Sequence, residues 1–198
     1  MNTTSTLRPR TGDALIIVDV QNDFLPGGAL AVPHGDQVVS TLNHYAALFE
    51  RPGLPVFATR DWHPPDHCSF RKQGGPWPAH CVAGTQGAQF APKLVLPPGA
   101  RVVSKATTPD RDAYSGFAGT ELDALLRREN VHRVFVGGLA TDYCVLNTVK
   151  DARALGYDVV LLQDAIRAVD LRPGDGRRAQ EEMQRLGAVP ADVESVEA

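Results

Sequence analysis

Cysteines and lysines are both scarce in this 198-residue chain, which has three cysteines and a net charge of −3. Three cysteines cannot pair evenly, which argues against a disulfide scaffold and favours a reducing compartment, so we expect a cytoplasmic protein. No basic stripe indicates a nucleic-acid surface. No apolar run approaches the length of a membrane span, and the first residues lack the apolar core of a signal peptide. We therefore expect neither nucleic acid nor a membrane as a partner. The lysines are Lys72, Lys93, Lys105 and Lys150.

The rest of the chain alternates apolar strands with helical patterns. Residues 14–20 form a continuous apolar run broken only by Asp19, which predicts a strand covered on both faces of a sheet. This alternation predicts an α/β fold of three layers (α/β/α), in which helices cover both faces of a central, mostly parallel sheet of about six strands. We expect one domain over residues 13–198 after a flexible lead over residues 1–12. Further strands are predicted at residues 54–59, 102–105, 134–136 and 157–162, with at most one short edge strand near the end, and helices at 36–50, 120–129, 142–155 and 176–186.

Polar or reactive side chains follow several of these strands. Asp19, Asp61, Lys105 and Cys144 all come at strand ends, and in parallel sheets sites form beyond the carboxyl ends of the strands. A carboxylate can accept the proton of a nearby thiol, and a buried lysine can keep that carboxylate charged. Asp19, Lys105 and Cys144 could therefore form a nucleophilic site. Because they come from different strands, a buried ion pair beside a core cysteine remains the alternative.

The surroundings of Cys144 favour chemistry at this thiol. A strand, the pair Gly137–Gly138 and the N-cap residues Thr141 and Asp142 precede it, so we expect Cys144 in the first turn of a helix. Free backbone N–H groups and the helix dipole there favour the thiolate and could hold an oxyanion, which predicts a lowered thiol pKa. A small buried core residue is the alternative.

A possible metal cluster lies on the long irregular loop after the second strand. Asp61 and His63 are two residues apart and can face one ion in extended chain, and His67 and His80 follow. Carboxylate and imidazole ligands suit Zn²⁺, Fe²⁺ or Mn²⁺. The alternatives are surface histidines that bind no ion, and a closed structural zinc site that draws on Cys68 and Cys81 together with the histidines.

Aromatic side chains lie on the loops expected above the same edge of the sheet. Phe24, Trp62, Trp77 and Tyr114 could together sandwich a flat ring. The alternative for each of them is that it covers the hydrophobic base of its own loop.

An ordered set of short motifs runs from about Leu15 to Asp164. The motifs are IVDVQNDF at residues 17–24, DWHP at 61–64, Asp66-His67 with Ser69-Phe70, WPAHCVAGT at 77–85, Lys105, YSGF at 114–117 and GLATDYCV at 138–145. Together these motifs resemble the nicotinamidase (pyrazinamidase) branch of the isochorismatase-like cysteine hydrolases. Each motif is weak alone, whereas the complete set in this order is specific.

The resemblance implies a role for each group of site residues. The implied catalytic triad is Asp19, Lys105 and Cys144. The implied metal ligands are Asp61, His63 and His80, with His67 as a further metal or pocket contact in some relatives. The implied pocket residues are Phe24, Trp77 and Tyr114. The implied oxyanion hole comprises the N–H groups of Ala140 and Cys144, beside a cis peptide bond between Leu139 and Ala140. The implied ion is Zn²⁺, with Fe²⁺ or Mn²⁺ as alternatives.

The activity that the resemblance implies is hydrolysis of nicotinamide, and also of pyrazinamide, through a cysteine thioester. The products from nicotinamide would be nicotinate and ammonia, in NAD salvage, with the ring held between Phe24 and Trp77 and its nitrogen toward the metal. Three alternatives stay open: a metal-hydroxide amidase in which Cys144 is structural, a related cysteine amidohydrolase for another small amide, and a non-catalytic pyridine-binding protein. A homo-oligomer is also left open.

Overall fold

A single sheet organises the structure, a computed structural model that describes residues 6–197. Its strands lie in the order β3-β2-β1-β4-β5-β6, and all neighbouring strands are parallel. The predicted three-layer α/β fold is confirmed, and the sheet is wholly parallel in the described residues. The strands are β1 (Asp13–Val18), β2 (Val56–Asp61), β3 (Arg101–Lys105), β4 (Arg133–Leu139), β5 (Asp158–Arg167) and β6 (Val189–Ala191).

Helices cover both faces of this sheet because alternate residues of each strand point to opposite sides. In β1, Leu15 and Ile17 belong to the core under the first helix, whereas Ile16 and Val18 belong to the core under the other three. Within residues 6–197, no helix is long and apolar enough to cross a membrane. The helices are α1 (Val38–Glu50), α2 (Leu122–Arg128), α3 (Leu146–Ala154) and α4 (Asp175–Arg185).

The strand order places a crevice between β1 and β4. The chain builds the sheet from β1 to β3 in one direction and from β4 to β6 in the other, so these two neighbours flank the switch point. Asp19 directly follows β1, and the turn that carries Cys144 directly follows β4. Ligands of open α/β sheets bind at such a point, beyond the carboxyl ends of the strands.

Most elements differ from their predicted bounds by one to three residues at an end, and two differ in ways that the hydrogen bonds explain. The predicted helix over 142–155 is divided into a π-helical turn, Thr141–Val145, and α3. The turn is wider because the Val145 N–H donates to the carbonyl five residues back, at Ala140, rather than four residues back. Strand β5 runs five residues beyond its predicted end because, after an irregularity in β4, its last residues resume pairing with that strand.

The two ends of the described chain lie side by side. Leu7 forms an isolated parallel bridge with Val196, and its N–H donates to the Ser195 carbonyl at 2.8 Å. The part of the predicted lead that the structure describes is therefore attached to the domain. Residues 1–5 of that lead lie outside the described residues.

Candidate active site

Lys105, at the end of β3, joins the residues of the candidate catalytic site. Its Nζ lies 3.0 Å from Asp19 Oδ2 and 3.5 Å from Cys144 Sγ, and it donates to the Ala113 carbonyl at 3.0 Å. The same ammonium also forms an ion pair with Asp61. The structure thus brings together the three residues predicted as a triad, all of them buried. Proximity to two carboxylates raises the pKa of Lys105 in spite of its burial, so the side chain is a fixed positive charge.

The two carboxylate oxygens of Asp19 have different partners. Oδ1 accepts a hydrogen bond of 2.6 Å from the Thr59 hydroxyl, whereas buried Oδ2 lies 3.0 Å from Lys105 Nζ in an ion pair. The backbone at Asp19 is left-handed, with φ of 48°, which turns the residue out of β1. Burial raises the pKa of Asp19, although Lys105 opposes this shift. A carboxylate in this setting is suited to accept a proton.

The Cys144 thiol is buried. Burial raises its pKa well above the ordinary value, and Lys105 only partly opposes the shift. The expectation of a lowered thiol pKa is therefore wrong, because desolvation outweighs the lysine and the helix end. The thiol needs a base before it can attack, and a carboxylate oxygen of Asp19 lies within 4.8 Å of Sγ.

The three predicted metal ligands also meet in the structure. One ligand atom from each of Asp61, His63 and His80 lies within 4.8 Å of the other two. All three side chains are buried, so the alternative of surface histidines does not apply. Among residues 6–197, Cys68 and Cys81 belong to no such cluster, which removes the support for a closed zinc site.

Both imidazoles are prepared for an ion. Nδ1 of His63 lies 3.0 Å from the His80 carbonyl, and Nδ1 of His80 lies 2.8 Å from the Pro78 carbonyl. A carbonyl can only accept, so each Nδ1 carries the proton and each Nε2 offers a lone pair. Burial, with a smaller contribution from the charge of Lys105, lowers the pKa of His63 to about 3, which keeps its ring neutral. This donor set fits a divalent transition metal.

His67 lies beside this cluster, but its ring nitrogens have other partners. Nδ1 is 2.7 Å from the Ser69 hydroxyl and Nε2 is 3.1 Å from the Arg111 carbonyl. The ring packs against that of His63 at a tilt of 32°, with the centroids 4.2 Å apart. In this arrangement His67 supports the position of His63.

A cavity opens above the thiol and the metal cluster. The predicted pocket residues Phe24, Trp77 and Tyr114 all line it, as do Ala140 and Cys144 of the predicted oxyanion hole. Trp77 Nε1 donates to the Tyr114 hydroxyl at 3.0 Å, which fixes the two rings. The peptide bond between Leu139 and Ala140 is cis, as the resemblance implied. Trp62 instead lies outside the cavity lining, where the Arg60 guanidinium stacks on its ring.

Comparison with known proteins identifies the family. An isochorismatase domain matches residues 13–195. The chain belongs to the isochorismatase family. The nicotinamidase of Escherichia coli is 41% identical in an alignment of 196 positions that covers 88% of this chain and 92% of the relative. The pyrazinamidase of Pyrococcus horikoshii in complex with zinc is 49% identical with a TM-score of 0.88, over 91% of this chain and 99% of that one. PnC1 from L. infantum in complex with nicotinate is 38% identical with a TM-score of 0.89, over 98% and 99% of the two chains.

Sequence reasoning missed several contacts in this isochorismatase-family site. Thr59 donates to Asp19, and its place two residues before Asp61 in the same strand was an available signal, because both side chains point to one face. Tyr143 lines the cavity and packs edge-on against Trp77, with the centroids 5.1 Å apart. Asp142 was predicted as an N-cap, but its carboxylate instead accepts the N–H groups of Val169 and Asp170, which fastens a cavity wall to the cysteine turn.

Proposed function

We propose that the chain is a nicotinamidase, an amidohydrolase that converts nicotinamide to nicotinate and ammonia with Cys144 as the nucleophile. The activity is supported by relatives named nicotinamidase or pyrazinamidase that align with most of the chain. The observation that carries the assignment of residues is the buried Asp19 carboxylate, which is ion-paired with Lys105 and has an oxygen within 4.8 Å of Cys144 Sγ. A base within reach of a nucleophile that lines an aromatic cavity fits hydrolysis of a flat amide.

The proposed reaction begins with proton transfer from Cys144 Sγ to Asp19. The sulfur then attacks the carboxamide carbon, and the resulting oxyanion accepts hydrogen bonds from the N–H groups of Ala140 and Cys144. The C–N bond breaks as protonated Asp19 gives its proton to the leaving ammonia, which leaves a thioester. Asp19 next removes a proton from water, whose oxygen attacks the thioester carbon. Nicotinate departs, and the proton held by Asp19 returns to the sulfur.

Lys105 supports both halves of this cycle as a fixed charge. Its ammonium contacts Asp19 and Cys144 together, so it stabilises whichever of the two carries the negative charge. The Ala113 carbonyl and Asp61 hold it in place from other sides. A lysine so surrounded cannot itself act as the acid, because its proton is held too tightly.

We also propose that Asp61, His63 and His80 hold one divalent ion, with Zn²⁺ as the candidate. The support is the paired Nε2 lone pairs, the adjacent carboxylate and the zinc complex of the pyrazinamidase from Pyrococcus horikoshii. A bound ion supplies a Lewis acid for which a pyridine nitrogen is a suitable ligand. Phe24 and Trp77 line the same cavity and would pack on the ring, which orients the carboxamide toward Cys144.

Pyrazinamide is the second substrate that we propose, because its ring has the same shape and also carries a nitrogen. A relative of Mycobacterium tuberculosis, 41% identical over 167 residues, is named nicotinamidase/pyrazinamidase. The nicotinate formed from nicotinamide would enter NAD salvage. Three free cysteines support a reducing, cytoplasmic setting.

The test is ammonia release from nicotinamide by the wild type and by Cys144→Ala, each as prepared, after chelation and after Zn²⁺ add-back. We expect rapid release by the wild type and none by Cys144→Ala, even though this variant still binds Zn²⁺. Chelation should chiefly raise KM. Turnover by Cys144→Ala that chelation abolishes would instead support a metal-hydroxide amidase. A wild type that releases no ammonia from nicotinamide, but does so from another small amide, would overturn the substrate assignment.

A further inference from the structure

Gln21 is a buried polar residue to which the proposed mechanism gives no role. Its side chain is fully buried, three residues beyond the end of β1. Three hydrogen bonds satisfy its amide. Oε1 accepts from the Asp61 N–H at 2.8 Å, and Nε2 donates to the carbonyls of Asp61 at 2.8 Å and Ala88 at 2.9 Å. A single side chain thus binds both backbone groups of a proposed metal ligand.

The need for this contact follows from the geometry of parallel strands. Successive residues of a strand point their backbone N–H and C=O groups to alternate sides, so those of Thr59 and Asp61 both point toward β1. Thr59 finds a backbone partner there, because the Asp19 N–H donates to its carbonyl at 3.2 Å. At Asp19 the chain turns out of the strand, and no backbone of β1 lies opposite Asp61.

The Gln21 amide replaces the missing strand at this position. A primary amide offers one acceptor and a donor in the arrangement of a peptide group, which is what the N–H and C=O of Asp61 require. On the other side of β2, the Trp62 N–H donates to the Lys105 carbonyl at 3.1 Å. The end of β2 is therefore held from both sides, at the residue whose carboxylate meets His63, His80 and Lys105.

We propose that Gln21 is a positioning residue for the metal centre, which holds the Asp61 carboxylate in place for a divalent ion by clamping the Asp61 backbone. This inference rests on the proposed role of Asp61, His63 and His80 as ligands. Groups that orient metal ligands typically contribute about 10–100-fold to metal affinity. Without the clamp, the end of β2 can move relative to the loop that carries His80, and the ligand set loses its fixed spacing.

The chain contains a matched control for this contact. Asn43, on α1, binds the backbone of a loop segment through both ends of its amide, because its Nδ2 donates to the Lys93 carbonyl and its Oδ1 accepts from the Val95 N–H, both at 2.8 Å. Replacing Asn43 by Leu removes a side-chain amide that binds backbone groups of one segment, at a place that does not line the cavity.

The experiment measures the dissociation constant of Zn²⁺ from metal-free protein, by competition with a chromogenic chelator, for Gln21→Met, Asn43→Leu and His80→Ala. Circular dichroism checks the fold of each variant. If Gln21→Met does not fold, Gln21→Asn, which keeps a shorter amide in place, is judged by the same criterion. We expect affinity to fall about 10–100-fold for the Gln21 variant, further for His80→Ala, and not at all for Asn43→Leu.

The outcomes separate this inference from the ligand assignment on which it rests. Wild-type affinity in the Gln21 variant, with loss of binding in His80→Ala, would overturn the positioning role and leave the ligand set intact. Wild-type affinity in His80→Ala would overturn both. An equal loss in Asn43→Leu and the Gln21 variant would show that affinity follows general stability, which also contradicts the proposal.

Discussion

The thiol site and the metal site lie side by side in the same cavity, yet they are built differently. Asp19 and Lys105 come directly at strand ends, and Cys144 follows β4 by a short turn, so the sheet itself fixes the thiol site. In the metal site, Asp61 ends β2, whereas His80 comes from the irregular loop between β2 and β3. The Asp23 carboxylate holds that loop through the Cys81 N–H at 2.7 Å. A second tie runs from the His63 N–H to the Cys81 carbonyl, at 3.0 Å.

This difference teaches that the two sites should fail in different ways. A site on a sheet is lost by changing its own side chains, because the scaffold is held by the whole core. A site on a loop can also be lost by removing contacts outside the site that hold the loop, and with it a ligand residue, in position. The two sites share one buried contact, the ion pair between Asp61 and Lys105.

The largest effect is expected at the thiol. Cys144→Ala should lower turnover of nicotinamide by about 10⁴-fold or more, because no other thiol of residues 6–197 lines the cavity. Zn²⁺ affinity should stay near that of the wild type, since the thiol is not among the proposed ligands. Steady-state ammonia release and chelator competition measure the two quantities. Cys68→Ala is the control, because Cys68 does not line the cavity. Equal loss of activity in both variants would contradict the assignment.

Lys105→Met should cause the next largest effect, on stability. Removing one partner from a buried ion pair typically costs about 3–5 kcal/mol, and here Asp19 and Asp61 would be left facing each other. The free energy of unfolding from urea titration measures this. The matched control is Lys150→Met, which removes an exposed pair with Glu182 and should cost about 0–1 kcal/mol. Similar losses in the two variants would contradict the role of Lys105 as a buried link.

Asp23→Ala should weaken the metal site and leave the thiol site unchanged. The loop that carries His80 loses its carboxylate tether, so Zn²⁺ affinity should fall about 10–100-fold. Alkylation of Cys144 in metal-free protein should keep the wild-type rate, because the strands that place the thiol are unchanged. Asp192→Ala is the control, since that carboxylate binds the N–H groups of Glu194 and Ser195 away from the cavity. A slower alkylation rate in Asp23→Ala would show that the sites are not independent.

The two sites should also respond oppositely to acid, which is the smallest effect. Folding lowers the pKa of His63 from 6.5 to about 3, so below pH 6.5 the unfolded chain binds a proton that the folded one does not. The free energy of unfolding should therefore decrease as the pH falls below 6.5, by up to about 1.4 kcal/mol per pH unit from His63. The raised pKa of Asp19 acts the other way, but only between pH 3.8 and its folded pKa, where the folded state keeps a proton that the unfolded chain has lost. Urea unfolding of metal-free wild type and His63→Gln between pH 6.5 and about pH 5 measures the His63 part. An identical slope in both proteins would contradict it.

The sequence predicted the parts of the molecule in which one local signal dominates. The apolar run at residues 14–20 can only be buried on both faces, and it became the central β1. Asp19, Lys105 and Asp61 could be predicted to converge because the carboxyl ends of parallel strands meet at one edge. The pairing of His80 with Asp61 came from family resemblance, since nothing local to the loop determines which histidine reaches the strand end.

Features that depend on opposing contributions could not be predicted from the sequence. The position of Cys144 near a helix start predicts a lowered pKa, but burial of the thiol outweighs it, and only the structure gives that burial. The π-helical turn follows from the Val145 N–H, which donates to the carbonyl five residues back at Ala140, and apolar spacing does not predict this hydrogen bond. The sequence predicted too early an end for β5, because Gln163 and Asp164 are polar. In the structure the strand continues through them, and the Asp164 carboxylate accepts hydrogen bonds from the Tyr45 hydroxyl and the Val193 N–H.

The most direct test of the thioester is to trap it. Wild-type enzyme, mixed with excess nicotinamide and quenched in acid during turnover, would be digested and analysed by mass spectrometry. The account predicts one nicotinoyl group on the peptide that contains Cys144, and none on the peptides with Cys68 or Cys81. Its amount should rise and decay with turnover. Full conversion to nicotinate with no acyl group on Cys144 at any time point would contradict the cysteine mechanism and favour direct attack by water.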